Sequence, residues 1–123
     1  MNESLQFALV EELLDEQTVL IVVEGELELT TAPRFKQSLV KAVEEGKRAI
    51  VVDLSRLTFI DSTALGVMVA AQRRMHEDQR LAIVCTHPQV LSVFEITGIT
   101  ESFRIEPDRG GALAYVQGSA PTA

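Results

Sequence analysis

The run Asp61-Ser62-Thr63 is the segment best suited to carry chemistry, because it opens a helical pattern in the sequence. An aspartate just before the first helical residue can cap the helix by accepting hydrogen bonds from first-turn amides. Ser62 would then be the first helical residue, with its hydroxyl toward solvent and free backbone amides nearby. Because such capping sequences are common, the spacing alone leaves a purely structural role open.

A catalytic role for Ser62 as a nucleophile would require a general base within hydrogen-bond reach. His76 lies on the same predicted helix, about 21 Å further along at 1.5 Å per residue, and is excluded. His87 follows the next strand and could approach Ser62, since loops at the carboxyl edge of a parallel sheet lie together. The turn is not GxSxG, however, and no acid is placed to orient His87. We therefore interpret His87 as an exposed loop residue and keep a small serine hydrolase as a distant alternative.

Gly66 lies one turn after Ser62, within the same predicted helix. A glycine inside a helix destabilises it by about 1 kcal/mol relative to alanine, and often marks a close approach of another backbone. We therefore expect either a neighbouring backbone or a partner to approach Gly66. Tight packing of the helix on the sheet is the structural alternative.

A second candidate segment, residues 25–31, alternates acidic and apolar residues between a buried strand and a helix. Such alternation is typical of a strand end with one solvated face, and Thr31 would cap the helix that follows. If this segment shares a sheet edge with Ser62, then Glu28, Thr30 and Thr31 would extend one acidic, hydroxyl-rich patch. Residue spacing leaves both interpretations open.

Motifs for nucleotide and metal binding are absent from the sequence. It contains neither GxxxxGK[ST] nor GxGxxG, the two loops that cradle phosphates. Its two histidines lack HExxH or similar spacing, so no metal site is predicted. The single cysteine, Cys85, lies in the apolar run LAIVC, where we expect a buried thiol without a disulfide. The sequence thus predicts no cofactor.

Length and charge limit the classes of protein that this chain can be. The 123 residues fit one domain, and a hydrophobic fraction of 46% is typical of a packed globular chain. The net charge of −7 disfavours nucleic acid and anionic lipid, because binding either requires concentrated Lys and Arg. The amino terminus has no basic n-region, and the apolar stretch at residues 19–23 is too short to span a membrane. We expect a cytoplasmic protein that docks on another protein.

The elements that position the candidate residues follow from hydrophobic patterning. Short Val- and Ile-rich runs predict strands buried on both faces at residues 19–23, 49–54 and 81–85. Weaker runs predict further strands at residues 5–10 and 103–105, with a hairpin turn about Asp15-Glu16-Gln17. Helices should begin near Thr31, Asp61, Pro88 and Asp108.

Alternation of strands and helices requires crossover connections and hence a partly parallel sheet. The last helix contains Gly110 and Gly111, which both lower its intrinsic helix propensity. We predict a single α/β domain over residues 1–116. The Gly-, Ser- and Pro-containing segment at residues 117–123 is expected to be a flexible tail.

The sequence also resembles a known family at the two candidate segments. GELELTTAP, followed by DLSRLTFIDSTALGVMVAAQRRM, resembles the anti-sigma factor antagonist family, which is built on the STAS domain. The likeness spans essentially the whole chain, and DSTALGV is its most specific part. It implies a STAS-type single domain with a small mixed β-sheet and helices packed mainly on one face.

The resemblance implies a phosphorylation-controlled switch and no catalysis by this chain. Ser62 matches the serine that an anti-sigma factor with serine kinase activity phosphorylates in this family. The unmodified antagonist binds that factor and frees a sigma factor, and a metal-dependent serine phosphatase resets the phosphorylated form. ATP and metal then belong to the partners. The partner-binding residues implied are Glu28, Thr30, Thr31, Asp61, Ser62, Thr63, Leu65 and Gly66.

Two positions depart from the family pattern. Glu28 stands where an aspartate is usual, and Ala64 stands where a glycine is common. Neither change removes the serine. Some STAS domains instead serve as subunits of membrane transport or stress-sensing complexes, and for them Ser62 would not matter. The intact Asp61-Ser62 pair favours the phosphorylated class.

Overall fold

A computed structural model describes residues 6–118 of the chain. Its nine main elements alternate in the predicted order, β-β-α-β-α-β-α-β-α. In chain order they are β1 (Ala8–Asp15), β2 (Thr18–Leu27), α1 (Ala32–Glu44), β3 (Ala49–Ile60), α2 (Ser62–Arg73), β4 (Arg80–Val84), α3 (Pro88–Ile96), β5 (Arg104–Glu106) and α4 (Arg109–Gln117). A short 3-10 helix, Thr100–Ser102, precedes β5. No helix within residues 6–118 combines the length and apolar character needed to cross a membrane.

The five strands form one mixed sheet in the order β1-β2-β3-β4-β5. β1 is antiparallel to β2, and the remaining neighbours are parallel. The predicted hairpin turn is confirmed: Asp15 Oδ1 accepts a hydrogen bond from the Gln17 amide at 2.8 Å. Because β2, β3 and β4 run in one direction, the loops after them share the carboxyl edge of the sheet.

Helices cover both faces of the central strands, which explains why those strands read as continuous apolar runs. On one face α1, α2 and α3 pack on the sheet through fully buried side chains such as Phe35, Met68 and Phe94. On the other face α4 packs alone, with Ala112 and Val116 against β3 and β4. Three helices of four thus lie on one face, as the resemblance implied.

Several predicted boundaries differ from the structure: β2 and β3 continue to Leu27 and Ile60, beyond the runs predicted at residues 19–23 and 49–54. The first strand was expected at residues 5–10 but runs from Ala8 to Asp15. Its outer residues are exposed, so polar side chains such as Glu11 and Glu12 interrupt the apolar pattern that would have marked it. At the other end, α4 includes Gln117, the first residue of the predicted tail, whose Nε2 donates to Thr18 Oγ1 at 3.4 Å. Residues 119–123 of that tail lie outside the described residues.

Candidate functional site

Asp61 caps α2 and so places Ser62 at the first position of the helix. Asp61 Oδ1 accepts hydrogen bonds from the amides of Thr63 at 2.9 Å and Ala64 at 3.3 Å. Asp61 itself has extended backbone angles, as a residue that caps a helix should. Ser62 and Thr63 are exposed, and within residues 6–118 the Ser62 hydroxyl makes no hydrogen bond. Its oxygen is therefore accessible to a reagent or partner.

Glu28 organises the loop between β2 and α1. Its Oε1 accepts a hydrogen bond from the Thr30 amide at 3.0 Å, and its Oε2 accepts one from the Thr30 hydroxyl at 2.7 Å. The hydroxyl and then the amide of Thr30 hold the pKa of Glu28 below its ordinary value of 4.5. Glu28 is therefore a carboxylate at neutral pH, and Thr30 is fixed beside it.

Thr31 holds the same loop together instead of capping α1. Its hydroxyl donates to the Glu26 carbonyl at 2.8 Å and accepts from the Glu28 amide at 3.0 Å. Thr31 occupies the N-cap position, but its side chain makes no capping hydrogen bond. The predicted capping role for the Thr31 side chain is thus wrong, because its hydroxyl makes its hydrogen bonds within the turn after β2.

The two candidate segments leave the sheet at adjacent positions. Leu27, at the end of β2, pairs with Ile60, at the end of β3. Glu28 and Asp61 are the residues that follow this pair, and the Asp61 amide donates to the Leu27 carbonyl at 3.1 Å. The predicted shared edge between the β2–α1 loop and the start of α2 is confirmed. We call residues 28–31 and 61–63 together the switch edge.

Gly25 allows β2 to reach this edge in the observed conformation. Its φ of +93° lies in the left-handed region, and a side chain there would collide with the Gln6 carbonyl oxygen. The Gly25 carbonyl in turn accepts a hydrogen bond from the Thr58 hydroxyl at 3.1 Å. The register between β2 and β3 shifts on either side of this point, between Val22 and Glu24 and between Gly25 and Glu26.

Leu65 and Gly66 were both predicted to bind a partner, and the prediction for Leu65 is wrong. Leu65 is only 3% exposed and packs in the core with Met68, so its side chain is not available at the surface. Gly66 is exposed, and a Cβ built on it would meet nothing within 4 Å. Neither a neighbouring backbone nor tight packing on the sheet therefore explains this glycine, and contact with a partner stays a prediction.

Two exposed apolar residues at this edge were missed by the sequence interpretation. Leu29 is 69% exposed within the β2–α1 loop, and Phe59 is 48% exposed beside Glu26, its register partner on β2. Single exposed apolar side chains are common on protein surfaces, whereas a contiguous apolar patch marks a contact surface. The alternation of Glu and Leu in residues 26–29 continued the strand pattern, so no signal showed that Leu29 turns outward.

The remaining candidate residues, His87 and Cys85, have structural roles. His87 Nδ1 accepts a hydrogen bond from the Gln89 amide at 3.2 Å, so His87 caps α3 and is half-buried, not a freely exposed loop residue. Cys85 is buried as predicted, and burial raises the pKa of its thiol above the ordinary 9.0. Within residues 6–118 no group of His, Cys, Asp or Glu side chains is arranged to hold a metal ion.

Comparison with known proteins identifies the family. The profile of the STAS domain matches residues 12–112. The chain belongs to the STAS domain family. The anti-sigma-B factor antagonist of Staphylococcus aureus is 30% identical over 86 residues, which cover 69% of this chain and 80% of that protein.

Solved structures share the fold of this STAS domain. The crystal structure of an anti-sigma factor antagonist from Mycobacterium paratuberculosis has a TM-score of 0.87 and 23% identity, covering 96% of this chain and 100% of that one. The antagonist SpoIIAA in its unphosphorylated form has a TM-score of 0.77 and 23% identity, covering 93% of this chain and 100% of its own. SpoIIAA of Bacillus has also been solved in a phosphorylated form, with a TM-score of 0.68, 22% identity and coverage of 89% and 99%.

Proposed function

We propose that this STAS domain is an anti-sigma factor antagonist that binds its anti-sigma factor through the switch edge. One observation carries the proposal: Ser62 is an exposed, unengaged hydroxyl on a capped helix start, directly beside the ordered Glu28 loop. The names of its relatives support the same function. Binding of the anti-sigma factor would release a sigma factor, and the chain itself would catalyse no reaction.

We further propose that phosphorylation of Ser62 ends this binding. A phosphate adds about −1.5 to −2 charges at neutral pH. The free amides and dipole of α2 favour an anion there by about 0.3–1 kcal/mol, which Asp61 partly offsets, so the fold should tolerate the group. A partner surface fitted to a neutral hydroxyl must instead desolvate a dianion, and each 1.4 kcal/mol of that cost weakens affinity tenfold.

The partners supply the chemistry that this chain lacks. An anti-sigma factor with serine kinase activity would transfer the phosphoryl group from ATP to Ser62 Oγ. A metal-dependent serine phosphatase would hydrolyse phospho-Ser62 and restore binding. The partner proteins would then bind the nucleotide and the metal, in agreement with the missing phosphate loops of this sequence. All of these proteins would meet in the cytoplasm.

The test compares partner affinities of four forms of the chain by calorimetry, using the purified anti-sigma factor. Parent and Ser62→Ala should bind equally, whereas phospho-Ser62 should bind at least a hundredfold more weakly and Ser62→Asp should show part of that loss. Ser102→Asp is the matched control, because it adds the same charge at an exposed position before β5. Melting temperatures should agree across all forms.

Two results would count against the switch. If Ser62→Asp binds as tightly as the parent and kinase treatment labels no residue at position 62, phosphorylation does not control this protein. Stable association with a membrane complex, independent of Ser62, would then favour the transport-subunit alternative. Turnover of a model ester that is lost in His87→Ala would instead favour a hydrolase.

A further inference from the structure

A cleft between α1 and α2 begins beside the switch edge and carries a charge opposite to that of the whole chain. Its volume is about 340 Å³, and Thr63, next to Ser62, forms one end. Arg74, just after α2, forms the other end, and Lys36 of α1 lines the side. We call this the α1–α2 cleft; its remaining lining comes from Val40, Gly66, Val67, Ala70 and Ala71.

The floor of the α1–α2 cleft is apolar and open. Val40 and Val67 are half-buried, while Ala70 and Gly66 are exposed. Within residues 6–118 nothing lies within 4 Å of a Cβ built at Gly66, so the cleft is open at this point of α2. From Thr63 to Arg74 the cleft follows α2 for about 16 Å at 1.5 Å per residue. That length matches three turns of a second helix laid along it.

Positive charge is concentrated on these two helices. The chain carries a net charge of −7, yet Glu44, the last residue of α1, is the only Asp or Glu in α1 and α2. Residues 30–43 and 62–76 contain none. The same two segments hold five of the eleven Lys and Arg residues: Arg34, Lys36, Lys41, Arg73 and Arg74. Glu44 pairs with Arg74 at 3.3 Å, and Glu11 of β1 pairs with Lys41 at 3.2 Å. Among the residues lining the cleft in the described part of the chain, two are cationic and none is acidic.

We propose that the α1–α2 cleft binds an acidic amphipathic helix of the anti-sigma factor. The inference rests on the proposed function and adds to it a second contact surface with its own chemistry. An apolar floor requires an apolar helix face, and Lys36 at the side selects carboxylates on its flank, whereas Arg74 at the far end is shared with Glu44. A basic segment of the partner would be drawn instead to the Glu28 loop, which is acidic.

The location of the cleft connects this contact to Ser62. A phosphate on Ser62 would lie next to Thr63, at one end of the cleft, and would repel the carboxylates of a helix bound along it. Charges separated by less than about 8 Å interact appreciably at physiological salt. The loss of affinity on phosphorylation should therefore shrink as salt concentration rises, and more so for the parent than for a variant with a blocked cleft.

The test measures affinity for the purified anti-sigma factor that the parent chain binds. Lys36→Glu reverses a charge at the cleft, and Ala70→Glu places a carboxylate on its floor. The matched controls make the corresponding changes at exposed positions outside the cleft: Arg48→Glu reverses a charge just before β3, and Ala114→Glu adds a carboxylate on α4. Both cleft variants should bind at least tenfold more weakly than the parent, and both controls should bind within twofold. Melting temperatures of all five proteins establish that each is folded.

The outcomes separate this inference from the proposed function. If the parent binds and both cleft variants bind equally well, or if the controls weaken as much, the cleft proposal is overturned and the switch edge stands alone. If the parent binds no anti-sigma factor, the proposed function itself fails, and the cleft proposal fails with it. A photo-crosslinker at position 70 should attach to an Asp- and Glu-rich helix of the partner; attachment to a basic segment would also overturn the proposal.

Discussion

Arg109 Nε donates a hydrogen bond to Oδ2 of Asp53 at 2.6 Å and so joins the first residue of α4 to the centre of the sheet. Asp53 is 2% exposed, and its other oxygen accepts from the amide of Ser55 at 2.9 Å and from the Ser55 hydroxyl at 2.6 Å. Both oxygens of a buried carboxylate are thus satisfied. This contact, together with the Asp108 cap on the Gly111 amide at 2.8 Å, explains why a helix with two glycines forms here.

Removing the Arg109 side chain should therefore destabilise the protein. We expect Arg109→Ala to lower the free energy of unfolding by about 2 kcal/mol, the usual range for a hydrogen bond to a charged group being about 1.5–3 kcal/mol. Urea unfolding at neutral pH measures the change. Arg48→Ala is the control, because Arg48 makes only an exposed ion pair with Asp78 at 3.8 Å and should shift stability by less than about 0.5 kcal/mol. Equal effects of the two substitutions would show that the Asp53 contact adds nothing.

The same carboxylate predicts how stability changes in acid. Burial opposes ionisation of Asp53, but hydrogen bonds from Ser55 and Arg109 outweigh it and hold its pKa below the ordinary 3.8. Because the folded-state pKa is lowered, Asp53 stabilises the fold fully above the unfolded value of about 3.9. That contribution is lost as the pH falls through the folded-state pKa. Asp53→Asn should therefore flatten the decline in unfolding free energy below about pH 4, as measured by urea unfolding across that pH range.

Patterns in the sequence predicted most of the fold because the decisive signals were local or periodic. Residues 19–23 of β2, 49–54 of β3 and 81–84 of β4 are almost all buried, and so they appear as apolar runs broken only by Asp53. Asp61 and Asp108 precede helices and cap them, as their side-chain chemistry favours. β1 lacked such a signal, because an exposed outer strand tolerates polar residues on both faces.

The features that sequence could not predict depend on contacts between residues far apart in the chain. Asp53 finds Arg109 on the last helix, a pairing that no local pattern encodes. Leu65 and Gly66 are adjacent in sequence, yet one faces the core and the other faces open space. Only the placement of α1 beside α2 decides which side of α2 is covered. The Glu28 loop was predicted at the correct place. The hydrogen bonds of the Thr31 hydroxyl within that loop depend on the geometry of the turn.

Gly66 provides a direct test of whether its lack of a side chain serves stability or binding. Since nothing surrounds its Cβ position, Gly66→Ala should raise the free energy of unfolding by about 1 kcal/mol, the usual gain in helix interiors. Gly46→Ala is the contrasting control, because Gly46 has equal space but a φ of +78°, and it should destabilise. A stabilised Gly66→Ala that also binds the anti-sigma factor more weakly would show that a partner approaches this position. Unchanged stability would contradict the expected helix effect.

Leu29 should be the apolar anchor of the switch edge. It is 69% exposed between Glu28 and Thr30, whose side chains hydrogen-bond to each other and keep the loop ordered. Leu29→Asp should weaken binding of the anti-sigma factor by at least tenfold, because burying an unpaired carboxylate in an interface is costly.

The free energy of unfolding should change little in Leu29→Asp, since substitutions of exposed residues usually shift it by less than about 0.5 kcal/mol. The matched control is Ile96→Asp, because Ile96 is 81% exposed at the end of α3, away from the carboxyl edge, and its loss should not affect binding. Glu28→Lys should weaken binding as Leu29→Asp does, whereas Glu28→Gln, which can still accept from the Thr30 amide, should weaken it less. Calorimetry with the anti-sigma factor compares all four variants. If Leu29→Asp and Ile96→Asp bind alike, the partner does not cover the β2–α1 loop, and the contacts of Ser62 must lie on the α2 side alone.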